Sequence, residues 1–215
     1  MTKRTSSRGE YKNSILTKEA ISSACLSLID QTGISGISVQ AVSQRSGIPI
    51  SSINYQFPTK SALLRAALQE RDKQHAQELR ARWESVPLEL ADLVRNIAQS
   101  DEIELNRLKL DHHLRGEAVE TSHPAHNYFK HRHQSSIEII AGLVRELQNQ
   151  GKAHGDLDPK LTATQILAAW IGLESIWLID SSFNFSEAVR QIVRQLTRQE
   201  AVEAKQAIAE LAASI

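Results

Sequence analysis

A short stretch rich in hydrogen-bonding side chains runs from Ile50 to Lys60, with the sequence ISSINYQFPTK. Amide side chains can hydrogen-bond to base edges, while hydroxyls and backbone N–H groups can bind phosphates. The stretch contains no carboxylate that would repel a polyanion. It therefore predicts a nucleic-acid surface, with the candidate residues Ile50, Ser51, Ser52, Asn54, Tyr55, Gln56 and Lys60.

Histidines form a second group, because six of the eight fall between His112 and His133. A metal site on a helix would favour i, i+4 pairs, but no two of these six have that spacing, and no Cys lies nearby. We predict a polar loop and helix start without a bound metal, in which some of these side chains line a pocket.

Glu174 is a third candidate, because it lies between Trp170 and Trp177 in a segment that is otherwise largely apolar. A buried carboxylate requires a partner. Two interpretations stay open: an ion pair with an Arg across a helical bundle, or an acceptor for a bound ligand. For the second, the candidate pocket residues are His113, Phe129, His133, Trp170 and Glu174.

Common catalytic motifs are missing from the sequence. It has no G-x-S-x-G, no H-E-x-x-H and no glycine-rich phosphate loop. Ser, His and Asp side chains could still converge in space, which leaves an enzyme or carrier as an alternative. We predict neither enzymatic activity nor a cofactor.

Two short helices joined by a tight turn are predicted to position the polar stretch. Ser38 is suited to the N-cap of the first, and Gly47 to the left-handed residue that ends it. Pro49 is suited to the first position of the second helix, about Ile50 to Gln56, and Pro58 blocks its continuation. In a helix-turn-helix, such a second helix enters the major groove of DNA.

Apolar spacing indicates which faces are buried. Ile53 and Phe57, four residues apart, predict the core face of the second helix. An earlier helix from Ser14 to Gln31 is predicted to pack behind it through Leu16, Ala20, Ala24 and Leu28, with Ile21 and Cys25 beside them.

Lys60 follows Thr59, which is suited to the N-cap of a further helix. The first turn of a helix disfavours a cation by roughly 0.3–1 kcal/mol. A phosphate bound there would be attracted by both the helix end and the ammonium. The alternative is an exposed lysine that only aids solubility.

This pattern resembles the DNA-binding domain of the TetR (tetracycline-repressor-like) transcription regulators. The resemblance covers about Thr17 to Leu68 and is carried by Gly47, Ile48, Ile53, Tyr55, Phe57, Thr59, Lys60, Leu63 and Leu64. It implies DNA contacts at Ser38, Gln40, Ser51, Ser52, Asn54, Tyr55 and Lys60. The chain departs from the family at Asn54, where Tyr is usual, and at Pro49-Ile50, where a polar start is usual.

Composition and charge fit a helical protein with one basic end. Hydrophobic residues make up 41% of the 215 residues, with only 5 Pro and 9 Gly to interrupt helices. The net charge is zero, but residues 1–60 hold seven basic and three acidic side chains, which leaves 18 and 22 for the rest. This asymmetry concentrates attraction for phosphate at the N-terminal end.

The sequence predicts cytoplasmic residence and an inert thiol. The strongest apolar run, Ile166 to Ile179, is interrupted by Glu174 and Ser175, and no signal-peptide core is seen. The single Cys25 excludes an internal disulfide and lies among apolar residues, which favours a buried thiol over a redox switch.

We predict an all-α fold with a flexible basic arm (1–13), a helix-turn-helix domain (14–58) and a helical effector-binding and dimerisation domain (59–215), whose connecting helix spans 59–85. Further helices are predicted at about Leu88–Gln99, Asp101–Val119, Ala125–Gln150, Pro159–Asp180 and Ser186–Ala213, the last with a break near Thr197 and Glu200. The apolar segment 161–179, with small residues at Ala163, Ala168, Ala169 and Gly172, favours a homodimer through the helices at 159–180 and 186–213, although an intramolecular core would give the same pattern. The family resemblance implies the same dimer.

The predicted function is a ligand-responsive transcription regulator without membrane association. By the family's mechanism, a repressor dimer would bind a palindromic operator in double-stranded DNA, and a small-molecule effector would release it. The alternative is an effector-independent architectural or recruiting protein of the same fold.

Overall fold

The structure is a computed structural model that describes residues 6–83 and 102–213, with side-chain positions in 13–74 and 103–212. The predicted helix from Leu88 to Gln99, and the arm residues Lys3 and Arg4, lie outside the described residues.

All secondary structure in the described residues is helical, which confirms the predicted all-α fold class. Its helices in order are α1 (Ser6–Thr32), a 3-10 turn (Ile34–Gly36), α2 (Val39–Ser46), α3 (Ile50–Gln56), α4 (Lys60–Trp83), α5 (Glu102–Glu117), α6 (His126–Asn149), α7 (Pro159–Ile179), α8 (Phe185–Leu196) and α9 (Gln199–Ala213). The described residues form two compact units: residues 6–83 with 102–129, and residues 130–213. These units are defined by which residues pack together, whereas the predicted domains were defined by function. The predicted functional boundaries therefore stay a prediction.

Helix α1 differs from its predicted form in two ways. It begins at Ser6 rather than Ser14, because extending a formed helix through polar residues costs little compared with nucleating one. Its buried stripe is Ile21, Cys25 and Ile29 with Leu26 and Ala24, whereas Leu16 and Ala20 are exposed. The expected face was wrong at its N-terminal end, because only the second half of α1 is covered by apolar neighbours.

One apolar core holds the first unit together. Ile21 and Ile29 from α1 meet Val42 from α2, Ile53 from α3, and Leu63 and Leu64 from α4, all at 2% exposure or less. Leu110 and Leu114 from α5 complete it. Each such side chain contributes about 1.5–3 kcal/mol when buried, so this core fixes the position of the short helices.

The second unit has a smaller core centred on Phe185. The ring centroids of Trp170 and Trp177 lie 5.7 and 5.9 Å from that of Phe185, so both α7 tryptophans pack on the first residue of α8. Val144 of α6 and Ile166 of α7 belong to the same cluster. The ring contacts of the two tryptophans therefore pack α8 against α7.

The C-terminal helical segment breaks where the sequence predicted. Helix α8 ends at Leu196 and α9 begins at Gln199, with Arg198 in the left-handed region at φ 53°. The Arg198 guanidinium is 3.1 Å from a carboxylate oxygen of Asp156, which also accepts a hydrogen bond from His154. This ion pair links the break between α8 and α9 to the loop that follows α6.

Helix α7 carries an apolar stripe that its own unit does not cover. Leu161, Ala168, Gly172, Ile176 and Ile179 are exposed at spacings of one helical face, with 56% and 87% exposure for the two isoleucines. By length and composition alone, α7 is also the one helix in the described ranges that could cross a membrane.

Candidate nucleic-acid interface

The turn between α2 and α3 is built as the sequence predicts. Ser38 caps α2 by accepting a hydrogen bond from the N–H of Ala41 at 3.1 Å. Gly47 ends α2 in the left-handed conformation at φ 70°, and its N–H donates to the carbonyl oxygen of Ser43 at 2.9 Å. Two hydroxyls, those of Ser43 and Ser46, close the turn by bonding Ile48.

Pro49 takes a different position from the predicted one. It is the N-cap of α3 rather than its first helical residue, since its ψ of 143° is extended. Its carbonyl oxygen accepts the N–H groups of Ser52 and Ile53 at 2.9 and 3.1 Å. Proline suits this place because it needs no donor partner of its own.

Helix α3 presents two chemically different faces. Ile53 is fully buried and Phe57 is 7% exposed, which confirms the predicted core face. On the opposite face Tyr55 is 83% exposed, and Ser51 and Asn54 are exposed beside it. The exposed face consists of groups that can hydrogen-bond to bases or phosphates.

The remaining predicted contacts fall into three groups. Ser38, Gln40, Ile50 and Lys60 are exposed in the helix-turn-helix or directly after it, and Ser52 is half-buried. Gln56 is half-buried and donates to the hydroxyl of Ser14 on α1 at 3.3 Å. Gln56 therefore holds α3 against α1, a contact that the sequence pattern does not reveal.

Lys60 is the first residue of α4, directly after the cap formed by Thr59. The Thr59 hydroxyl accepts the N–H of Ala62 at 3.1 Å, as predicted. No Asp or Glu occurs in the sequence between Asp30 and Glu70. The helix end and its ammonium therefore lie in a stretch of sequence without acidic residues, although the Glu117 carboxylate of α5 lies 3.1 Å from the Ser61 hydroxyl.

Cys25 lies beneath this surface as a buried thiol. It is fully buried in the core of the first unit, and burial raises its pKa to about 12, with the charge of Lys60 opposing the shift. A thiol with so high a pKa is a poor nucleophile. This agrees with the predicted inert core role.

The structure places the candidate ligand residues in both units. In the first, Phe129 is buried in the apolar core, and His113 lies 3.6 Å from the Glu117 carboxylate. In the second, Trp170 packs on Phe185, Glu174 is buried on α7 at 4% exposure, and His133 is half-buried. No group of three metal-ligating side chains in the described part of the chain could hold a metal.

An all-helical chain whose helix-turn-helix exposes a polar second helix belongs to the class of helix-turn-helix DNA-binding proteins. Residues 21–67 match the family described as bacterial regulatory proteins, tetR family. This segment contains the buried half of α1, the helix-turn-helix and the start of α4. Residues 21–67 are therefore similar to the N-terminal domain of TetR-family transcriptional regulators.

Solved structures share the fold over most of the chain. A protein described as a TetR-family transcriptional regulator from Rhodococcus sp. is 24% identical, with 85% of this chain and 97% of that chain covered and a TM-score of 0.60. The multidrug binding protein EbrR, complexed with imidazole, is 22% identical with coverages of 84% and 89% and a TM-score of 0.58. NalD, the secondary repressor of the MexAB-OprM multidrug efflux pump in Pseudomonas aeruginosa, is 21% identical with coverages of 86% and 97% and a TM-score of 0.55. No curated protein sequence matches this chain.

Proposed function

We propose that this regulator is a dimeric repressor that binds a palindromic operator and is released by a small molecule. The observation that carries the proposal is the two-faced α3, which buries Ile53 in the core and exposes Ser51, Asn54 and Tyr55. A helix held in this way can enter a major groove without losing its own packing.

Each exposed residue has a proposed role. Asn54 would hydrogen-bond to a base edge, while Ser38, Gln40 and Ser51 would bond phosphates or bases at either side of it. Lys60 would hold a phosphate at the start of α4. Ile50, Ser52 and Tyr55 would supply the remaining contacts, and Gln56 would act through α1.

Homodimerisation is supported by the exposed stripe of α7. Ala168 and Gly172 lie in the middle of the stripe and would let a second helix approach closely, while Ile176 and Ile179 would bury large side chains. Ala163, which was also expected to face a partner helix, is fully buried within its own unit. We propose that α7, with α8 and α9, forms a seam with the second copy, and that this seam accounts for the apolar surface better than a membrane does.

A small-molecule effector is supported by the relatives. EbrR has been solved with imidazole and with ethidium. By analogy, a ligand of this chain would bind among the helices of the second unit, near Trp170, Glu174 and His133. It must prefer one of two conformations to change DNA affinity. As a DNA-bound regulator the protein would reside in the cytoplasm.

The test is a genome-wide selection of DNA fragments by the purified protein at physiological salt, where non-specific phosphate binding is suppressed. We expect one palindrome whose half-sites are about one helical turn, ~34–36 Å, or somewhat more, apart. A variant with Ser51, Asn54 and Tyr55 all replaced by Ala is the control and should lose it. Fragments recovered equally by both proteins, or none above background, would exclude α3 as the sequence-reading element.

A further inference from the structure

The last residue of α5 touches the first turn of α4. The Ser61 hydroxyl, one residue after Lys60, donates to the Oε2 atom of Glu117 at 3.1 Å. A carboxylate beside the start of a helix is also favoured by the helix dipole. Glu117 therefore contacts the turn that carries the proposed phosphate-binding lysine, although it lies outside the helix-turn-helix.

Ion pairs to α1 and α4 hold helix α5, which carries Glu117, in place. Arg107 forms a bidentate ion pair with Asp30 of α1, with N–O distances of 2.7 and 2.9 Å. One turn earlier in α5, Glu104 pairs with Arg71 of α4 at 2.6 Å, and the Arg71 side chain is only 12% exposed. The two helices are thus tied at Arg71–Glu104 and again at Ser61–Glu117, ten residues further towards the N-terminus of α4.

The carboxylate is approached by two histidines as well. The Nε2 atom of His123 lies 3.2 Å from Glu117 Oε2, outside hydrogen-bond geometry, and His113 Nε2 lies 3.6 Å from Oε1. His123 is itself oriented because its Nδ1 atom accepts the N–H of Ala125 at 3.2 Å. These neighbours restrict where the Glu117 carboxylate can lie.

The turn behind Glu117 leads directly into α6. His126, the first residue of α6, bonds the carbonyl oxygen of Ala118 through Nδ1 at 2.9 Å. The N–H of Ala118 in turn donates to Leu114 at 2.9 Å. The end of α5, the turn and the start of α6 therefore form one hydrogen-bonded piece.

We propose that Glu117 is a positioning residue for DNA binding. By accepting the Ser61 hydrogen bond it sets the first turn of α4, and hence where the Lys60 ammonium meets a phosphate. A displacement of the start of α6 would reach Lys60 through this contact. The inference rests on the proposed DNA-binding function and assigns a residue-level route for its regulation.

The test compares five variants of the full-length protein with wild type. Glu117→Ala and Ser61→Ala each remove one partner, and the double variant removes both. Glu120→Ala is the matched control, because Glu120 lies three residues after Glu117, is also exposed, carries the same charge and contacts Thr121 and Ser122 instead of α4. Glu117→Gln keeps an acceptor oxygen for Ser61 and should restore binding.

Binding is measured by fluorescence anisotropy on a mixed-sequence duplex about three helical turns long, at about 50 mM salt. We expect Glu117→Ala to bind roughly three- to fivefold more weakly than Glu120→Ala, as suits one partly exposed charged contact. Ser61→Ala should weaken binding similarly relative to wild type, and the double variant no further, since both changes remove the same contact. Glu117→Gln should stay close to wild type.

Amide hydrogen exchange of residues 60–66 in the free protein gives a readout that needs no DNA. Exchange there should accelerate in Glu117→Ala and Ser61→Ala but not in Glu120→Ala. If wild type binds DNA and Glu117→Ala matches Glu120→Ala in both measurements, the positioning role is overturned alone. If wild type binds no duplex even at low salt, the proposed function is overturned and the inference with it.

Discussion

The hydroxyl of Ser43 donates a hydrogen bond to the carbonyl oxygen of Ile48 at 2.7 Å, across the turn between α2 and α3. This bond spans Gly47, whose left-handed backbone makes the reversal of the chain possible. The angle between the two short helices is therefore set within six residues. The exposed face of α3 depends on it.

Gly47→Ala should destabilise the protein by about 1 kcal/mol. A Cβ at this position meets no atom within 4 Å, so the cost comes from the positive φ and not from a clash. Gly116→Ala is the matched control: a Cβ there also meets nothing, but Gly116 lies within α5, where alanine should stabilise by roughly 0.5–1 kcal/mol. Urea unfolding of both variants measures the two signs, and equal shifts would contradict this account of the turn.

Asn54→Ala and Lys60→Ala should affect DNA binding in different ways. Loss of the Asn54 amide should relax base preference at one position of each half-site, by about 1–3 kcal/mol of discrimination. Loss of the Lys60 ammonium should weaken all sequences about equally and lower the salt slope by about 1. Titrations of operator and mutated operator at several salt concentrations separate the effects. Indistinguishable profiles would remove these assigned roles.

Ile176→Glu should convert the proposed dimer to monomer, because it places a carboxylate in the exposed α7 stripe. Burying an unpaired carboxylate in an apolar seam is strongly unfavourable. The control is Ile139→Glu on α6, since Ile139 is exposed to almost the same extent, 54% against 56%. Sedimentation equilibrium measures both. A dimer that survives Ile176→Glu would place the interface elsewhere.

Asp156→Asn should reduce thermal stability at neutral pH but not in acid. The pKa of Asp156 lies below its ordinary value of 3.8, first because of its hydrogen bond with His154 and then because of electrostatic attraction by His154 and Arg198. A carboxyl with a lowered pKa stabilises the fold above its unfolded pKa and loses this contribution as pH falls through its folded pKa. Melting curves should show that the difference in melting temperature between the variant and wild type disappears below about pH 4. A gap that widens in acid would contradict the ion pair.

Cys25 should resist alkylation in the native protein. Its thiol is fully buried and its pKa is raised to about 12, so at pH 8 very little thiolate forms. Iodoacetamide should label it only after unfolding in denaturant, as mass spectrometry would show. Rapid labelling without denaturant would mean that the core of the first unit opens readily.

Local sequence determined the elements that carry the proposed chemistry. Ser38 as a cap, Gly47 as a left-handed residue and Ile53 with Phe57 as a buried pair could all be predicted, because each depends on backbone conformation or helical spacing within a few residues. The break between α8 and α9 follows from the same kind of local signal.

Tertiary structure decided which of several possible partners each face meets. Apolar residues on α1 could form two overlapping stripes, and only packing against α4 and α5 selects Ile21, Cys25 and Ile29. From the sequence alone Gln56 is a candidate for base recognition, but in the structure it hydrogen-bonds to Ser14. Glu117 has a proposed role only because the fold brings the end of α5 next to Ser61. These contacts join residues 42 and 56 positions apart, a distance over which neither helical periodicity nor capping carries information.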